Sequence, residues 1–517
     1  MTTTAAKLFM PVEHRLTLDL PPIPAPARSL RVCLVKNYNR SYVFQPAFGL
    51  GYLASVLRED GHEVAILDGL KNRMSLAEFE GHLRRYEYDV IGFQIYSYDV
   101  HLVIPYLEAA RRLQSRAVLI LGGAHPSGDP EGTLMTLPLA DFAMKAEGEI
   151  GVRQFASLVS ELKFDQLGEA SRGAMDPRSL VDVSGLIWRN GDGVKVNRTS
   201  FVPDLDEVPF PAWDLMDPRE YPEAPHGAFA RGFPSAPIIF NRGCPYKCTF
   251  CAAHTLSPRK QRRRSTANVL AEMAHLQSKY GVKEFHFEDD CFNCDREAVI
   301  DFCTTVLKES RQLSWGCPSG VRLDRLDPDI LGLMERAGCY SFGLGIEFGS
   351  ERMMKMVKKG ETAATVAEKV RMVGKTRIKT TGFFILGYPD ETKEDIEATI
   401  KLALALPIGR AQFNNFMPLP GTESMERMRA EGEVGPIDWS AVFVHDASFP
   451  PKGMTSEELK SLQRKAYLRF YLRPHIIWGL LKEVRSWRHL KRLIDRFLDA
   501  VWTPTHISKT GRHLPGS

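Results

Sequence analysis

Three cysteines in one short stretch are the residues of this chain best suited to chemistry. Cys244, Cys248 and Cys251 are separated by three residues and then by two. They follow an apolar run, 236–240, which is typical of a buried strand, so the thiols are predicted to lie on the loop that leaves it. Thiolates hold iron–sulfur clusters, and three ligands on a four-iron cube leave one iron open. The spacing therefore predicts a [4Fe–4S] site on one tight loop.

A zinc site is an alternative interpretation of the same loop. His254 lies three residues after Cys251, and structural zinc takes four nitrogen or sulfur ligands in a tetrahedron. Zinc sites usually draw two pairs of ligands from separated loops, whereas all four would crowd together here. Unrelated core cysteines are the remaining alternative.

The cysteine motif resembles that of the radical S-adenosylmethionine (SAM) enzymes. In that family the open iron chelates the amine and carboxylate of SAM, and the cluster passes an electron into the sulfonium. The resemblance implies a [4Fe–4S] cluster and SAM as cofactors, with Cys244, Cys248 and Cys251 as metal ligands. It also implies an electron donor such as flavodoxin or ferredoxin as a partner.

Six strand candidates follow one another from residue 238 at intervals that suit repeated βα units. They cover residues 238–241, 284–288, 314–317, 341–345, 380–386 and 411–416. Six units predict a partial (β/α)6 barrel of the TIM type, at residues 236–430, with reactive loops at the carboxyl ends of its strands.

The ends of these strands carry the side chains that the resemblance assigns to SAM. Glu288 and Asp289 close the second strand, where this family commonly engages the methionine moiety. Glu347 ends the fourth strand, where a carboxylate could hold the ribose hydroxyls or the amino group. Gly382 and Gly387 give the fifth strand the character of an adenine-packing strand. Each acidic residue has a plainer interpretation, since such side chains also cap helices, and no residue is assigned a catalytic role.

Residues 31–165 alternate strands and amphipathic segments, which predicts an α/β, doubly wound (Rossmann-like) domain. The strand candidates are 31–35, 63–67, 90–94, 117–121 and 142–145, and the helical segments are 49–59, 76–85 and 103–113. The ligand of such a domain lies at the carboxyl ends of its strands, where this chain carries Ser97, Gly122, Gly123 and His125.

This domain resembles a cobalamin-binding domain of the cobalamin-dependent radical SAM branch, which implies cobalamin as a third cofactor. Gly122 and Gly123 would let the backbone approach a flat, bulky ligand, with Ser97 lining the same crevice. An Asp-x-His-x-x-Gly motif does not follow the first strand, so no axial histidine is expected. His125 is interpreted as capping the loop or contacting a propionamide. A Gly-Gly turn alone equally suits nucleotides or no ligand.

The remaining segments are an extended tail (1–30), a connector with a β-hairpin (166–235) and a helical, basic C-terminal region (431–517). The last region either lies on an anionic bilayer or packs on the open side of the barrel with a solvated basic face, and we favour packing. Its basic residues are Arg469, Arg473, Lys482, Arg485, Arg488, Lys491, Arg492 and Arg496.

Composition bounds the class of protein. The net charge of +4 is small for 517 residues, so no nucleic-acid partner is indicated. Nine cysteines, an odd number, indicate a reducing compartment. The N-terminus does not have the pattern of a signal peptide, and no apolar run is long enough to span a membrane. The chain is predicted to be cytoplasmic, with membrane-peripheral contact as an option.

Six other cysteines remain, of which Cys303 falls on a predicted helix and Cys317 on a predicted strand, without a clear second ligand pair. Cys291 and Cys294 form a second closely spaced pair just after the second barrel strand, where an auxiliary cluster or a reactive thiol is conceivable. Cys33 and Cys339 are interpreted as small apolar core residues.

The combined resemblance, over residues 31–430, implies methylation of an unactivated carbon. A 5′-deoxyadenosyl radical made from SAM would abstract hydrogen, and methylcobalamin would supply the methyl group. A radical rearrangement, cyclisation or hydration with the same cofactors is the alternative, as in oxidative ring closure of tetrapyrroles. A redox-sensing or cofactor-carrying binding protein is the alternative from another class. The sequence leaves the substrate open among small molecules and lipids.

Overall fold

The structure is a computed structural model. It describes residues 23–39, 44–162, 175, 177–223, 230–435, 437–439 and 447–484, and positions 487, 490, 491, 493, 494, 497 and 498. Most of the expected N-terminal tail therefore lies outside the described residues, as do four of the basic C-terminal residues, Arg485, Arg488, Arg492 and Arg496.

A seven-stranded sheet forms the N-terminal half of the chain. Its strands are β1 (Arg31–Lys36), β2 (Glu63–Asp68), β3 (Val90–Gln94), β4 (Val118–Gly122), β5 (Phe142–Met144), β6 (Leu186–Asn190) and β7 (Gly193–Val196). The order is β2-β1-β3-β4-β5-β6-β7, with β1 to β5 parallel and the last two strands antiparallel. This order reverses direction between β1 and β3, the point where open α/β sheets bind ligands. The doubly wound prediction is confirmed.

Helices connect and cover these strands. They are α1 (Phe48–Glu59), α2 (Gly69–Asn72), α3 (Leu76–Arg85), α4 (Val100–Leu113), α5 (Ala124–Gly128), α6 (Pro130–Thr136), α7 (Glu149–Glu161) and α8 (Pro177–Leu180). Alternate residues of β1 point to opposite layers: Val32 and Leu34 join one buried cluster, and Cys33 and Val35 the other. The interpretation of Cys33 as a core residue is confirmed.

The hairpin expected in the connector is present as β6 and β7. Its turn falls at residues 191–192, inside the predicted turn. The structure adds that β6 pairs with β5, so the hairpin extends the first sheet. The domain boundaries proposed from the sequence stay a prediction.

A second sheet of six parallel strands forms the centre of the chain. Its strands are β8 (Ser235–Ile238), β11 (Glu284–Phe287), β12 (Trp315–Val321), β13 (Cys339–Glu347), β14 (Lys379–Leu386) and β15 (Arg410–Asn415). They lie side by side in sequence order, as repeated right-handed βα units require. The partial barrel is confirmed, and buried Cys339 is part of its core.

The helices of this half are α9 (Ala253–Leu256), α10 (Thr266–Tyr280), α11 (Arg296–Lys308), α12 (Pro328–Arg336), α13 (Glu351–Met356), α14 (Ala363–Val373), α15 (Lys393–Ala405) and α16 (Glu423–Ala430). Two more, α17 (Ser456–Tyr471) and α18 (Pro474–Leu481), follow in the C-terminal region. Among the described residues, no helix combines the length and apolar character needed to cross a membrane.

The first barrel strand begins and ends earlier than the sequence predicts. The expected strand 238–241 is replaced by β8, after which a two-residue strand β9 (Asn241–Arg242) pairs with β10 (Arg262–Arg263). The physical reason is Asp289, whose carboxylate accepts hydrogen bonds from the backbone N–H groups of Phe240 and Asn241, both at 2.8 Å. These bonds turn the chain out of the sheet before the cysteine motif.

The helix α17 packs on β15, the last strand of the barrel sheet. Its Gln463 donates to the carbonyl of Phe413, and the hydroxyl of Tyr467 accepts from the N–H of the same residue. Side chains thus satisfy backbone groups that an edge strand leaves open. The packing interpretation of the C-terminal region is confirmed for α17.

Candidate active site

The three motif cysteines lie on the segment between β9 and β10, at the carboxyl ends of the barrel strands. Gly243 precedes them with a left-handed φ of 90°, and a Cβ there would overlap the carbonyl of Pro258. The loop therefore closes on itself around the motif. The N–H of Thr249 donates to the carbonyl of Val357, and its hydroxyl contacts the hydroxyl of Tyr388 at 2.7 Å.

Each cysteine of the motif is half-buried. Burial raises the pKa of Cys251 to about 11 and that of Cys244 above its ordinary value. Metal binding needs thiolates, so it would release protons here. The loop thus suits a cationic iron centre that compensates the burial of three negative sulfurs.

The zinc alternative does not fit this geometry. Zinc binds sulfur at about 2.3 Å, which draws its ligands close together. Among the described residues, the sulfurs of Cys244, Cys248 and Cys251 do not converge to within 4.8 Å as one group. The Nδ1 of His254 instead lies 3.1 Å from the carbonyl of Cys251, within its own turn.

Glu347, the last residue of β13, has an unusual backbone conformation. Its φ of 64° is left-handed, and a register shift separates it from Gly345 in the pairing of β13 with β14. Such strain in a residue other than glycine is typical of functional sites. Its carboxylate lies 2.9 Å from the Nζ of buried Lys359.

Two cations next to the motif were missed by sequence reasoning. Burial raises the pKa of Cys248, and the positive charges of Lys359 and Arg322 oppose that shift. The guanidinium of Arg322 stacks 3.7 Å from the ring centre of Tyr246, inside the motif. Arg322 directly follows β12, so the strand-end argument could have found it. Lys359 lies in the connection between α13 and α14, where no sequence pattern indicates a functional residue.

The acidic residues after β11 have different surroundings. Glu288 accepts a hydrogen bond from the hydroxyl of Ser319, on the neighbouring strand β12. Asp289 is turned inward onto the backbone of residues 240 and 241, and burial raises its pKa to about 8. Asp289 thus positions the start of the cysteine loop.

Packing explains the two glycines of the fifth strand. A Cβ on Gly382 would lie 2.8 Å from a methyl of Ile408, and one on Gly387 would lie 2.5 Å from a methyl of Leu459 on α17. Gly387 also has a left-handed φ of 79°. Their role at an adenine stays a prediction.

The first sheet brings its four expected residues together. The Nδ1 of His125 lies 3.0 Å from the hydroxyl of Ser97, and burial lowers the pKa of His125 to about 4, so its ring is neutral. Gly123 has a left-handed φ of 102°, and a Cβ there would lie 2.8 Å from the carbonyl of Ile95. A Cβ on Gly122 would meet no atom of the described residues within 4 Å. Space for a ligand thus opens beside Gly122.

Buried polar atoms point to the same crevice. The Oδ1 of Asn37 and the Oε1 of Gln94 are buried and lack a hydrogen-bond partner among the described residues. Both follow or end strands next to the switch point, β1 and β3. Unsatisfied buried acceptors are costly, so they favour a ligand that carries N–H donors.

The crevice and the cysteine loop meet. Arg242, directly before the loop, forms ion pairs with Glu147 at 3.0 Å and Glu149 at 2.7 Å. Helix α5, which begins after Gly123, packs on α9, which begins after the motif. Burial and the negative charges of Asp99 and of Glu288, which follows barrel strand β11, raise the pKa of Tyr96 to about 12.

Two family models match the chain, the radical SAM superfamily at residues 238–403 and the B12-binding domain at residues 39–156. The chain is 31% identical over 433 residues to "Uncharacterized methyltransferase PH0819" of Pyrococcus horikoshii, which covers 84% of this chain and 89% of that protein. The chain belongs to the cobalamin-dependent radical SAM family. It is a radical SAM enzyme, and its family implies a [4Fe–4S] cluster, SAM and cobalamin as cofactors.

Other relatives are named for two different reactions, methylation and ring closure. This radical SAM enzyme is 28% identical to cytidylyl-2-hydroxyethylphosphonate methyltransferase of Streptomyces wedmorensis, over 75% of this chain and 78% of that one. It is 25% identical to anaerobic magnesium-protoporphyrin IX monomethyl ester cyclase of Cereibacter sphaeroides, over 84% and 68%.

Solved structures share the fold. The cobalamin-dependent SAM radical enzyme OxsB, with aqua-cobalamin bound, has a TM-score of 0.65 at 17% identity, covering 91% of this chain and 71% of that one. The methyltransferase TsrM of Kitasatospora setae, with tryptophan and a SAM analogue bound, has a TM-score of 0.62 at 18% identity, covering 79% and 77%.

The residues of this radical SAM enzyme fit the implied cofactors. Three thiols on one closed loop suit a cluster that keeps one iron open. Cobalamin is a bulky ligand with amide side arms. It suits the space beside Gly122 and the acceptors of Asn37 and Gln94, which lack a partner among the described residues.

Replacing the three motif cysteines together by alanine should remove the cluster and all SAM cleavage, because no thiolate then remains to hold iron on the loop. Iron content and visible absorption of the anaerobically reconstituted protein measure this. Cys303→Ala, at a buried cysteine of α11, is the control and should keep both. Stoichiometric zinc without iron in the wild-type protein would contradict the assignment.

Gly122→Leu should weaken cobalamin binding by about tenfold or more, about 1.4 kcal/mol, because the side chain enters the open space of the crevice. Titration of the full-length protein with hydroxocobalamin measures it. Gly81→Leu on α3 is a matched control, since a Cβ there also meets open space. Wild-type affinity in Gly122→Leu would exclude this crevice as the cobalamin site.

Proposed function

We propose that this chain methylates an unactivated carbon of a small-molecule or lipid substrate. The observation that carries the proposal is the contact between the crevice of the first sheet and the cysteine loop. Arg242 joins them directly, because it precedes Cys244 in the chain and pairs with Glu147 and Glu149 of the first domain. A substrate between them would meet both cofactors at once.

The pairing of cofactors determines the class of reaction. A saturated carbon has no lone pair that could attack the methyl group of a sulfonium. A radical SAM cluster with SAM supplies hydrogen-atom abstraction, and cobalamin supplies a methyl group through a bond that breaks homolytically. The protein's task is to bind and orient the substrate and the cofactors and to exclude water from the site.

Named residues take these tasks in our proposal. Cys244, Cys248 and Cys251 hold the cluster. Lys359 and Arg322 supply positive charge beside it, where the carboxylate of SAM needs a counter-ion. These cations share the site with acceptors, Glu288 and Glu347, that suit the amino group and the ribose hydroxyls of SAM.

The first domain holds the second cofactor in the same proposal. The residues that line its site are Ser97, Gly122, Gly123 and His125. His125 is neutral, buried and hydrogen-bonded to Ser97, and it caps the loop or contacts an amide side arm of cobalamin. In the same proposal the backbone at Gly382 and Gly387 lies beside the adenine of SAM, although packing alone already explains why neither position has a side chain.

Ring closure is the second candidate. The observation that favours it is the 25% identity to a magnesium-protoporphyrin cyclase over 84% of this chain. The relatives from Pyrococcus horikoshii and Streptomyces wedmorensis are both named methyltransferases, so we place methylation first. A flavodoxin or ferredoxin is proposed as the electron donor for either reaction, and no nucleic-acid partner is proposed.

Two SAM molecules should be spent per methylation, one cleaved to 5′-deoxyadenosine and one converted to S-adenosylhomocysteine when the methyl donor is restored. The two products should appear in equal amounts with methylated product. Liquid chromatography with mass spectrometry, on substrate candidates taken from the neighbouring genes' pathway, measures them. Deoxyadenosine without S-adenosylhomocysteine on the true substrate would rule out methylation and support ring closure or rearrangement.

We also propose that helix α18 contacts an anionic membrane surface, which would suit a lipid substrate. Ile477, Trp478 and Leu481 of this helix are exposed, Trp478 by 61%. The Nζ of Lys482 lies 5.1 Å from the ring centre of Trp478. An apolar helix face next to basic groups is the pattern of an interfacial helix.

The double variant Trp478→Ser, Leu481→Ser should bind vesicles of phosphatidylglycerol and phosphatidylcholine at least about tenfold more weakly, since burying one large apolar side chain contributes about 1.5–3 kcal/mol. Co-sedimentation measures this. Met135→Ser, at an exposed methionine of α6, is the control. Equal binding of the wild-type protein to purely zwitterionic vesicles would contradict an electrostatic contact. Absence of binding to either kind of vesicle would contradict any contact with a membrane.

A further inference from the structure

The second cysteine pair lies against the cluster loop. Cys291 and Cys294 form a disulfide with a Cα–Cα distance of 5.7 Å. The sulfur of Cys244 and the two disulfide sulfurs all lie within 4.8 Å of one another. The disulfide is therefore next to a sulfur that we assign to the cluster.

Hydrogen bonds fix this proximity from both sides. Gln261, just before β10, donates from its side-chain amide to the carbonyl of Cys291 at 3.0 Å and to the Oδ1 of Asn241 at 2.8 Å. The buried Asn293, between the two cysteines, donates to the carbonyl of Arg322 at 2.9 Å and accepts from its N–H at 2.8 Å. The pair is thus held to the cluster loop and to the end of β12.

We propose that Cys291 and Cys294 are a redox site whose disulfide exchanges with Cys244 in the cluster-free protein. Cluster assembly then requires prior reduction of this site. The inference rests on the proposed role of Cys244 as a cluster ligand. It assigns a function to a cysteine pair that binding of the three cofactors does not use.

The chemistry needs one oxidant and one reductant. A low-molecular-weight disulfide such as oxidised glutathione takes two electrons and two protons from the Cys291 and Cys294 thiols, which form a disulfide, and becomes two thiols. The Cys244 thiolate then attacks one sulfur of this disulfide. A new bond to Cys244 forms, the bond between Cys291 and Cys294 breaks, and the electron pair leaves with the released thiolate. A dithiol reductant donates two electrons to whichever of these disulfides is present, which leaves Cys244, Cys291 and Cys294 as thiols, and is itself oxidised to a disulfide.

The digestion pattern of the chain makes the exchange visible. Trypsin releases Cys244 alone on residues 243–247, and both Cys291 and Cys294 on residues 284–296, while the other motif cysteines fall on residues 248–259. Cluster-free full-length protein is equilibrated anaerobically with glutathione buffers, alkylated and digested without reduction. Oxidised buffers should give a cross-link between 243–247 and 284–296, which dithiothreitol removes.

Two results of this mapping would overturn the proposal. One is an internal disulfide within 284–296 with unmodified Cys244 at every glutathione ratio. The other is stoichiometric zinc on the reduced protein that prevents the cross-link, which would assign the three sulfurs to a metal site. Neither result depends on methylation, so failure of the inference and failure of the proposed function are separate outcomes.

Iron uptake supplies the second measurement. Oxidised wild-type protein should take up no iron from a [4Fe–4S] carrier until a dithiol is added. The double variant Cys291→Ser, Cys294→Ser should take up iron equally before and after glutathione treatment, its intact mass being checked for glutathione adducts. Cys303→Ala, at a buried cysteine of the helix α11 that follows the pair, should behave as the wild type. A double variant that still needs the dithiol, without adducts, would overturn the proposal.

Discussion

The ion pairs of Arg242 are the constraint on which the active site depends. This residue precedes the cysteine loop, has a largely buried side chain and pairs with Glu147 and Glu149. Glu147 also accepts from Arg262, after the loop, and from Ser257 at 2.7 Å. Removing one partner of such a buried pair leaves an uncompensated charge, at a cost of about 3–5 kcal/mol. The network therefore fixes both ends of the loop to the first domain.

Close backbone packing supports the same junction. A Cβ on Gly128, at the end of α5, would overlap the carbonyl of Pro420, and one on Gly421 would lie 2.8 Å from a methyl of Thr255. The ring of His125 packs edge-on against Trp439 at 5.4 Å. Interiors are packed as densely as organic crystals, so these contacts leave little freedom between the two sheets. A fixed distance between the two cofactor sites is what a reaction that uses both requires.

Local patterns predicted the elements well and their ends less well. Strands such as β3 and helices such as α3 have the bounds expected from hydrophobic periodicity, because burial of one face selects that periodicity. The strand β8 ends earlier than expected, since the carboxylate of Asp289 binds the backbone N–H groups of Phe240, 49 residues before it, and of Asn241. A hydrogen bond between distant residues leaves no periodic signal, so the sequence could not show where this strand ends.

The sequence by itself determined the chemistry: the spacing of Cys244, Cys248 and Cys251 and the order of strands and glycines depend only on neighbours along the chain. Tertiary structure alone decided that Lys359 and a second cysteine pair face that chemistry. Lys359 lies 111 residues beyond Cys248, and Cys291 and Cys294 come to lie against Cys244, because the loops after parallel strands gather at one edge of the sheet. Contacts of that kind are set by how the strands pair and pack, which the spacing of residues along a chain does not specify.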